Sequence, residues 1–296
     1  MTDSNPRVPY RMASERPRLA PLDGRPLMVH VVVNVELWPF DQAMPRGILP
    51  APHGRSVIPD VVNFAWVEYG MRIGMPRLLG MLSERGIRAS AFMNAACADT
   101  YPQCAEAMLA ADWEFVGHGW IQKSLATEDD EAAVIDKSLA RLEKLTGKKT
   151  RGWLGPGIGE TFDTPDLLKE RGIDWLSDWY LDDLPVWMET KHGPMLAMPY
   201  TVELNDVPIW VVQNQSSDEM LKRVEATLDV VGAELDRSPQ VMTLALHPHV
   251  IGVAHRMHYF ARILDLLQAR DDTVFVTGSE IADWFIAAEK SAAADG

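Results

Sequence analysis

Five short stretches of this sequence end in side chains capable of acid–base or polar chemistry. Asn34 and Glu36 close the apolar run Leu27–Glu36, and His118 follows Glu114–Gly117. Trp153 lies in Arg151–Leu154, Asp178 follows Ile173–Ser177, and His247 follows Val241–Leu246. Carboxylates and imidazoles are the parts of hydrolytic catalysis: a base that takes a proton from water and an acid that gives one to a leaving group. Glu36, among Val33, Val35 and Trp38, is expected to have its pKa raised by desolvation into the range of a general base. Asn34 then positions water or donates a hydrogen bond, and His118 or His247 protonates a leaving nitrogen. Asp178 is expected to orient one of those histidines, as carboxylates commonly do.

Each residue also has a plainer reading. Glu36 can be a solvated strand end, His118 and His247 core histidines, and Asp182-Asp183-Leu184-Pro185 a cap or turn. Gly117 and Gly119 around His118 favour a backbone that needs close approach or unusual torsion. Six of the ten tryptophans lie between residues 113 and 187. As core they need no explanation; near a rim they line a flat apolar pocket. Trp120, Trp153, Trp179, Asp182, Asp183 and His249 are therefore the candidate substrate-binding residues.

The elements that must position these groups alternate. Helical stretches are expected near 66–85, 100–111, 128–146, 164–171, 217–236, 256–269 and 279–288. Apolar strands fit between most of them, at Leu27–Glu36, Arg88–Asn94, Glu114–Gly117, Arg151–Leu154, Ile173–Ser177, Ile209–Val212, Val241–Leu246 and Thr273–Thr277. Gly86, Gly147 and Gly172 follow helices as left-handed caps. Such alternation predicts a parallel α/β architecture, a barrel or a doubly wound sheet. In a parallel barrel the C-terminal strand ends share one rim, which would gather the reactive residues.

Half of the 20 prolines fall in the first 60 residues. Proline removes a helix N–H, so residues 1–26 read as an extended arm and 37–60 as a loop covering the rim. The chain is read as arm 1–26, barrel 27–288 and flexible tail 289–296. Lys+Arg 28 against Asp+Glu 42 gives a net charge of −14 over 296 residues. That balance argues against nucleic acid and against anionic lipid, both of which need clustered cations. No apolar run is long enough to span a bilayer, and no basic, apolar leader is visible, so a cytoplasmic location is expected. Cys97 and Cys104 sit seven apart on an expected helix, roughly 10 Å along its axis, too far for a disulfide. No Gly-x-Ser-x-Gly elbow occurs. Gly155-Pro156-Gly157-Ile158-Gly159 lacks the Lys-Ser/Thr of a phosphate loop and reads as a rim loop.

The residues Val33-Asn34-Val35-Glu36, Gly117-His118-Gly119-Trp120, Leu244-Ala245-Leu246-His247 and Ser177–Pro185 together resemble the polysaccharide deacetylase (NodB homology) superfamily over residues 27–287. The last stretch is similar to an intracellular branch containing metal-independent allantoinases, cyclic imide hydrolases and some bacterial peptidoglycan deacetylase homologues. The resemblance implies an irregular (β/α) barrel of seven or eight strands, a hydrolase of non-peptide C–N bonds, and a homo-oligomer. Metal-dependent members carry Asp as base, an Asp ligand, and two histidines four apart. Here Asn34 stands at the base position and Gln122 at the second histidine, and an amide oxygen is a poor partner for zinc.

The expectation is therefore a cofactor-free enzyme that opens a small cyclic amide, ureide or imide, with Glu36 as base. The alternative is a deacetylase of an N-acetylated sugar or peptidoglycan fragment, with a zinc-like divalent metal held weakly by Glu36, His118 and Gln122. A non-catalytic binding barrel is the third reading.

Overall fold

The computed structural model describes residues 4–51 and 57–294. Residues 1–3 of the expected arm, 52–56 of the proline-rich loop and 295–296 of the expected tail lie outside them. The strands, in chain order, are β1 (Leu27–Val35), β2 (Ser90–Met93), β3 (Glu114–Gly117), β4 (Gly152–Trp153), β5 (Trp175–Leu176), β6 (Val186–Met188), β7 (Met195–Ala197), β8 (Gln240–Leu246) and β9 (Thr273–Phe275). They form one curled sheet in the order β6-β7-β5-β4-β3-β2-β1-β8, with β9 on the first residues of β1. Every pairing is parallel except the β6–β7 hairpin. This is the parallel α/β architecture expected from the alternation, in the irregular-barrel form that the resemblance implies.

β1 shows how the sheet makes a site. Its odd residues Val29, Val31, Val33 and Val35 pack with Leu78, Leu82, Val224 and Phe260 of the surrounding helices. Its even residues Met28 and Val32 pack inside the curl with Phe92, Trp175 and Tyr200. Because side chains alternate faces along a strand, Asn34 and Glu36 follow Met28 and Val32 into the interior. The aromatic stack Trp175–Phe92–Tyr200, centroids 5.9 Å apart at each step, fills the interior beneath them.

The edges β8 and β6 do not pair by a ladder. Across the gap Val241 N–H donates to Asp183 O at 2.9 Å, Thr243 Oγ1 to Pro199 O at 2.8 Å, and Thr243 N–H to Thr201 Oγ1 at 3.3 Å. The arm lies on its own barrel: Arg7 pairs with Asp166 at 3.0 Å, Leu19 is buried, and Trp284 Nε1 donates to Ala20 O at 3.0 Å.

Several expected elements differ. Ile209–Val212 belongs to a π-helical turn, Val207–Val212, opened by Pro208, and is not a strand. A β-branched run reads the same in either state, and proline in the first turn starts a helix readily. The β6–β7 hairpin went unread. Cys97 and Cys104 sit on two short helices, Cys97–Thr100 and Pro102–Ala110, instead of one. The last helix, Gly278–Ala294, runs on into the segment expected to fray, since Ala288 packs with Trp284 and Phe285.

Candidate active site

Three strand ends and two loops meet in a cleft of about 210 Å³. Asn34 and Glu36 come from β1, His118 from the end of β3, and His247 and His249 from the end of β8. Pro45 and Arg46 of the proline-rich loop and Gly157 and Ile158 of the glycine-rich loop complete its walls. Two glycines place His118. Gly117 leaves room for the Trp153 ring, and Gly119 turns the chain with φ +69°, which lets its carbonyl accept from Ala95 N–H at 2.9 Å.

Glu36 is buried and sits between two imidazoles. Its Oε1 is 3.7 Å from His118 Nε2 and 3.5 Å from His247 Nε2, while Oε2 accepts from Trp38 Nε1 at 2.8 Å. Burial alone would raise its pKa, but the two imidazoles outweigh burial and hold the carboxyl well below its usual range. This corrects the expected raised pKa. Glu36 is a firmly ionised carboxylate and a weak base.

His247 is the cleft's proton store. Burial opposes its charge, yet Asp206 and Glu36 together push its pKa up to about 10. Asp206 Oδ1 lies 2.6 Å from His247 Nδ1, and Asp206 Oδ2 accepts the His247 backbone N–H at 2.6 Å. His118 is held differently. Its Nδ1 is 2.8 Å from Leu154 O, and a carbonyl can only accept, so Nδ1 carries hydrogen. Its Nε2, 3.7 Å from Glu36 Oε1, is buried without a hydrogen-bond partner among the described residues. His249, packed edge-on to Trp66 and Trp38, has its pKa pulled down to about 3 by burial and stays neutral.

The other expected residues are elsewhere. Asp178 touches neither histidine: both Nδ1 atoms are taken by Asp206 and Leu154, and Asp178 accepts the Gly155 N–H with both oxygens at 2.9 Å. Burial, followed by the Glu160 charge, pushes its pKa up to about 8. Trp120 lies under the Lys137 ammonium at 3.5 Å, and Trp179 Nε1 donates to Glu160 at 2.6 Å. Trp153 is fully buried in the wall. Asp182 pairs with Arg16 at 2.8 Å, and Asp183 lines a separate cavity with Tyr180 and Glu203. None of these lines the cleft. Large indoles at strand ends served packing between sheet and helices, and the cleft's own indole is Trp38. Asp206, Tyr200 and Asn205 went unread. Asp206 follows a single bridge, Asn205 to Ala245, that no periodicity marks.

The donor set does not fit a divalent metal. Gln122 Oε1 accepts from Asn94 Nδ2 at 3.3 Å, and Asn94 is fixed by Leu37 N–H at 2.9 Å. Among the described residues no three His, Cys, Asp or Glu side chains form a metal-holding group. One carboxylate and one imidazole fall short of the three protein ligands of catalytic zinc sites.

Residues 66–175, which carry His118 and the β2–β4 strands, match the family model described as polysaccharide deacetylase. Over that stretch the chain is similar to polysaccharide deacetylases. A Pseudomonas aeruginosa PAO1 protein described as a probable polysaccharide deacetylase superposes on this chain with a TM-score of 0.81. The two are 25% identical, over 92% of this chain and 95% of that one. The solved structure of PuuE allantoinase superposes equally well at 0.81, with 23% identity over 92% and 95% of the two chains. A Helicobacter pylori protein named peptidoglycan deacetylase is 22% identical over 72% of this chain and 84% of its own. Among the described residues no helix is long and apolar enough to cross a membrane.

Proposed function

We propose that the domain opens a small cyclic amide, ureide or imide by water attack. The family match and the solved neighbours support a hydrolase of C–N bonds other than peptide bonds; the ring is a further step. The observation that carries it is the cleft: about 210 Å³, with one carboxylate between two imidazoles and walls that include Pro45, Arg46 and Ile158. A water molecule takes roughly 30 Å³ of liquid, so the cleft has room for a small planar ring. The printed name of the allantoinase neighbour also favours a ring.

The residues divide the work as follows. Glu36 Oε1 orients the attacking water beside His118 Nε2, which takes its proton. The His247 imidazolium delivers a proton to the leaving nitrogen as the C–N bond breaks. Positive charge thus passes from one imidazole to the other while Glu36 stays anionic between them, so the carboxylate compensates charge throughout. The basic role first assigned to Glu36 belongs to His118 in this scheme.

The name of the Helicobacter pylori relative favours a second reading, N-deacetylation. Allantoin, hydantoin, dihydropyrimidines, succinimide and N-acetylglucosamine oligomers, each assayed with and without a chelator, separate the two. Chelator-insensitive ring opening is expected. Acetate release from the oligomers, abolished by chelator, would instead establish the second reading.

A further inference from the structure

Tyr200 stands in the cleft wall with its hydroxyl beside Asn34 and Asn205. Its oxygen accepts Asn34 Nδ2–H at 2.9 Å and Asn205 Nδ2–H at 3.3 Å. Neither amide can turn round. Asn34 Nδ2 also donates to Leu246 O at 3.1 Å, a carbonyl that can only accept. Asn205 Oδ1 accepts Val207 N–H at 3.0 Å, a group that can only donate. Both acceptor positions of the phenol oxygen are therefore filled by hydrogen donors. Its own hydrogen has no acceptor among the described residues, though the side chain is buried. A buried O–H without a partner is costly unless something else receives it. The open space it reaches is the cleft, shared with Glu36, His118 and His247.

We propose that the Tyr200 hydroxyl donates its hydrogen to the carbonyl oxygen of the substrate and to the oxyanion that forms there. This rests on the hydrolytic reading above. Water oxygen bonds to the carbonyl carbon, the C=O pair moves onto oxygen against the Tyr200 O–H, and the pair returns as the C–N bond breaks with the proton from His247. The phenol keeps its proton throughout, because burial, and then the Asp206 and Glu36 charges, raise its pKa. Asn34 and Asn205 are positioning residues: they act through Tyr200 by filling its oxygen and aiming its hydrogen. The place of a base, read at Asn34 from the sequence, is thus an arm of the electrophile's support.

The experiment is Tyr200→Phe, which keeps the ring stacked on Phe92 and removes only the hydroxyl. Removing one oxyanion donor costs about 10²–10³ in kcat, so kcat is expected to fall by that factor on whichever panel ring the wild type opens. KM should move little, and the thermal midpoint should stay at or above the wild-type value. A Tyr200→Phe kcat within about twofold of wild type overturns the proposal while leaving the hydrolytic reading intact. Wild-type silence on every ring overturns that reading and this role together. Should the variant not fold, 3-fluorotyrosine at position 200 keeps the hydroxyl but makes it a stronger donor. A changed kcat then supports the proposal, and an unchanged one overturns it.

Discussion

Asp206 holds His247 with both carboxylate oxygens, one on the ring and one on the backbone. That grip fixes the ring, its tautomer and its charge at once. The folded pKa of His247, about 10, lies above the ordinary value of 6.5, so folding favours the protonated form. The stabilisation this supplies is complete below pH 6.5 and is lost as pH rises through about 10. With His247 as the acid, kcat/KM of the wild type should hold through neutral pH and decline only as the pH approaches 10. Asp206→Asn removes the charge and sets an N–H against the ring, and the comparable change in a serine protease triad lowers kcat by about 10⁴. A loss of about 10²–10⁴ is expected, with the alkaline limb of the profile displaced to lower pH. An unmoved limb in a pH–rate series would take the acid role from His247. Glu36→Gln should likewise cost about 10²–10⁴ without unfolding the chain, because two imidazoles lose the charge between them; an active Gln variant would show that the carboxylate does not matter.

The helical segment Val61–Glu84 carries a π-turn at Gly70–Gly74, and that turn seats the end of β8. Gly70 lies against His249 and Gly74 against Pro248 and Gly252, where a Cβ would meet backbone. The same surface is tied by Trp66 Nε1 donating to His249 O at 2.8 Å. Gly70→Ala should cost roughly 1–3 kcal/mol of stability, as overpacked sites do, read as a lower denaturant midpoint; an unchanged midpoint would mean the two backbones are free to part. At this scale the sequence was legible in part. Period 3.6 found the helix near 66–85 but not its π-turn, because inserting one residue alters hydrogen bonding without altering composition. A β-branched apolar run put Asn34 and Glu36 at the end of β1, and glycine on both sides singled out His118. Asp206 escaped because it stands on a turn that pairs with β8 across 40 residues of chain, roughly. Trp153 and Trp179 misled because an indole at a strand end looks the same whether it faces a ligand or a helix. The residues that bond to each other through space, Tyr200 with Asn34 and Asn205, leave no trace in spacing at all.

The whole molecule is one curled sheet wrapped in helices, with a net charge of −14 and an arm laid along its own surface. The arm is tied to Asp166 through Arg7 and to the last helix through Ala20. The gap between β8 and β6 gives this architecture an uneven resistance to opening. Amides on one side of β8 belong to a continuous ladder with β1, whereas Val241 and Thr243 are held by isolated bonds to loop atoms. Local fluctuations follow the weakest cooperative boundary. In a deuterium-exchange time course, the amides of Val241 and Thr243 should lose protection well before those of Met242 and Leu244. Neighbours in one strand would then report different opening events: a gate that parts along its seam while the wall beside it stays shut.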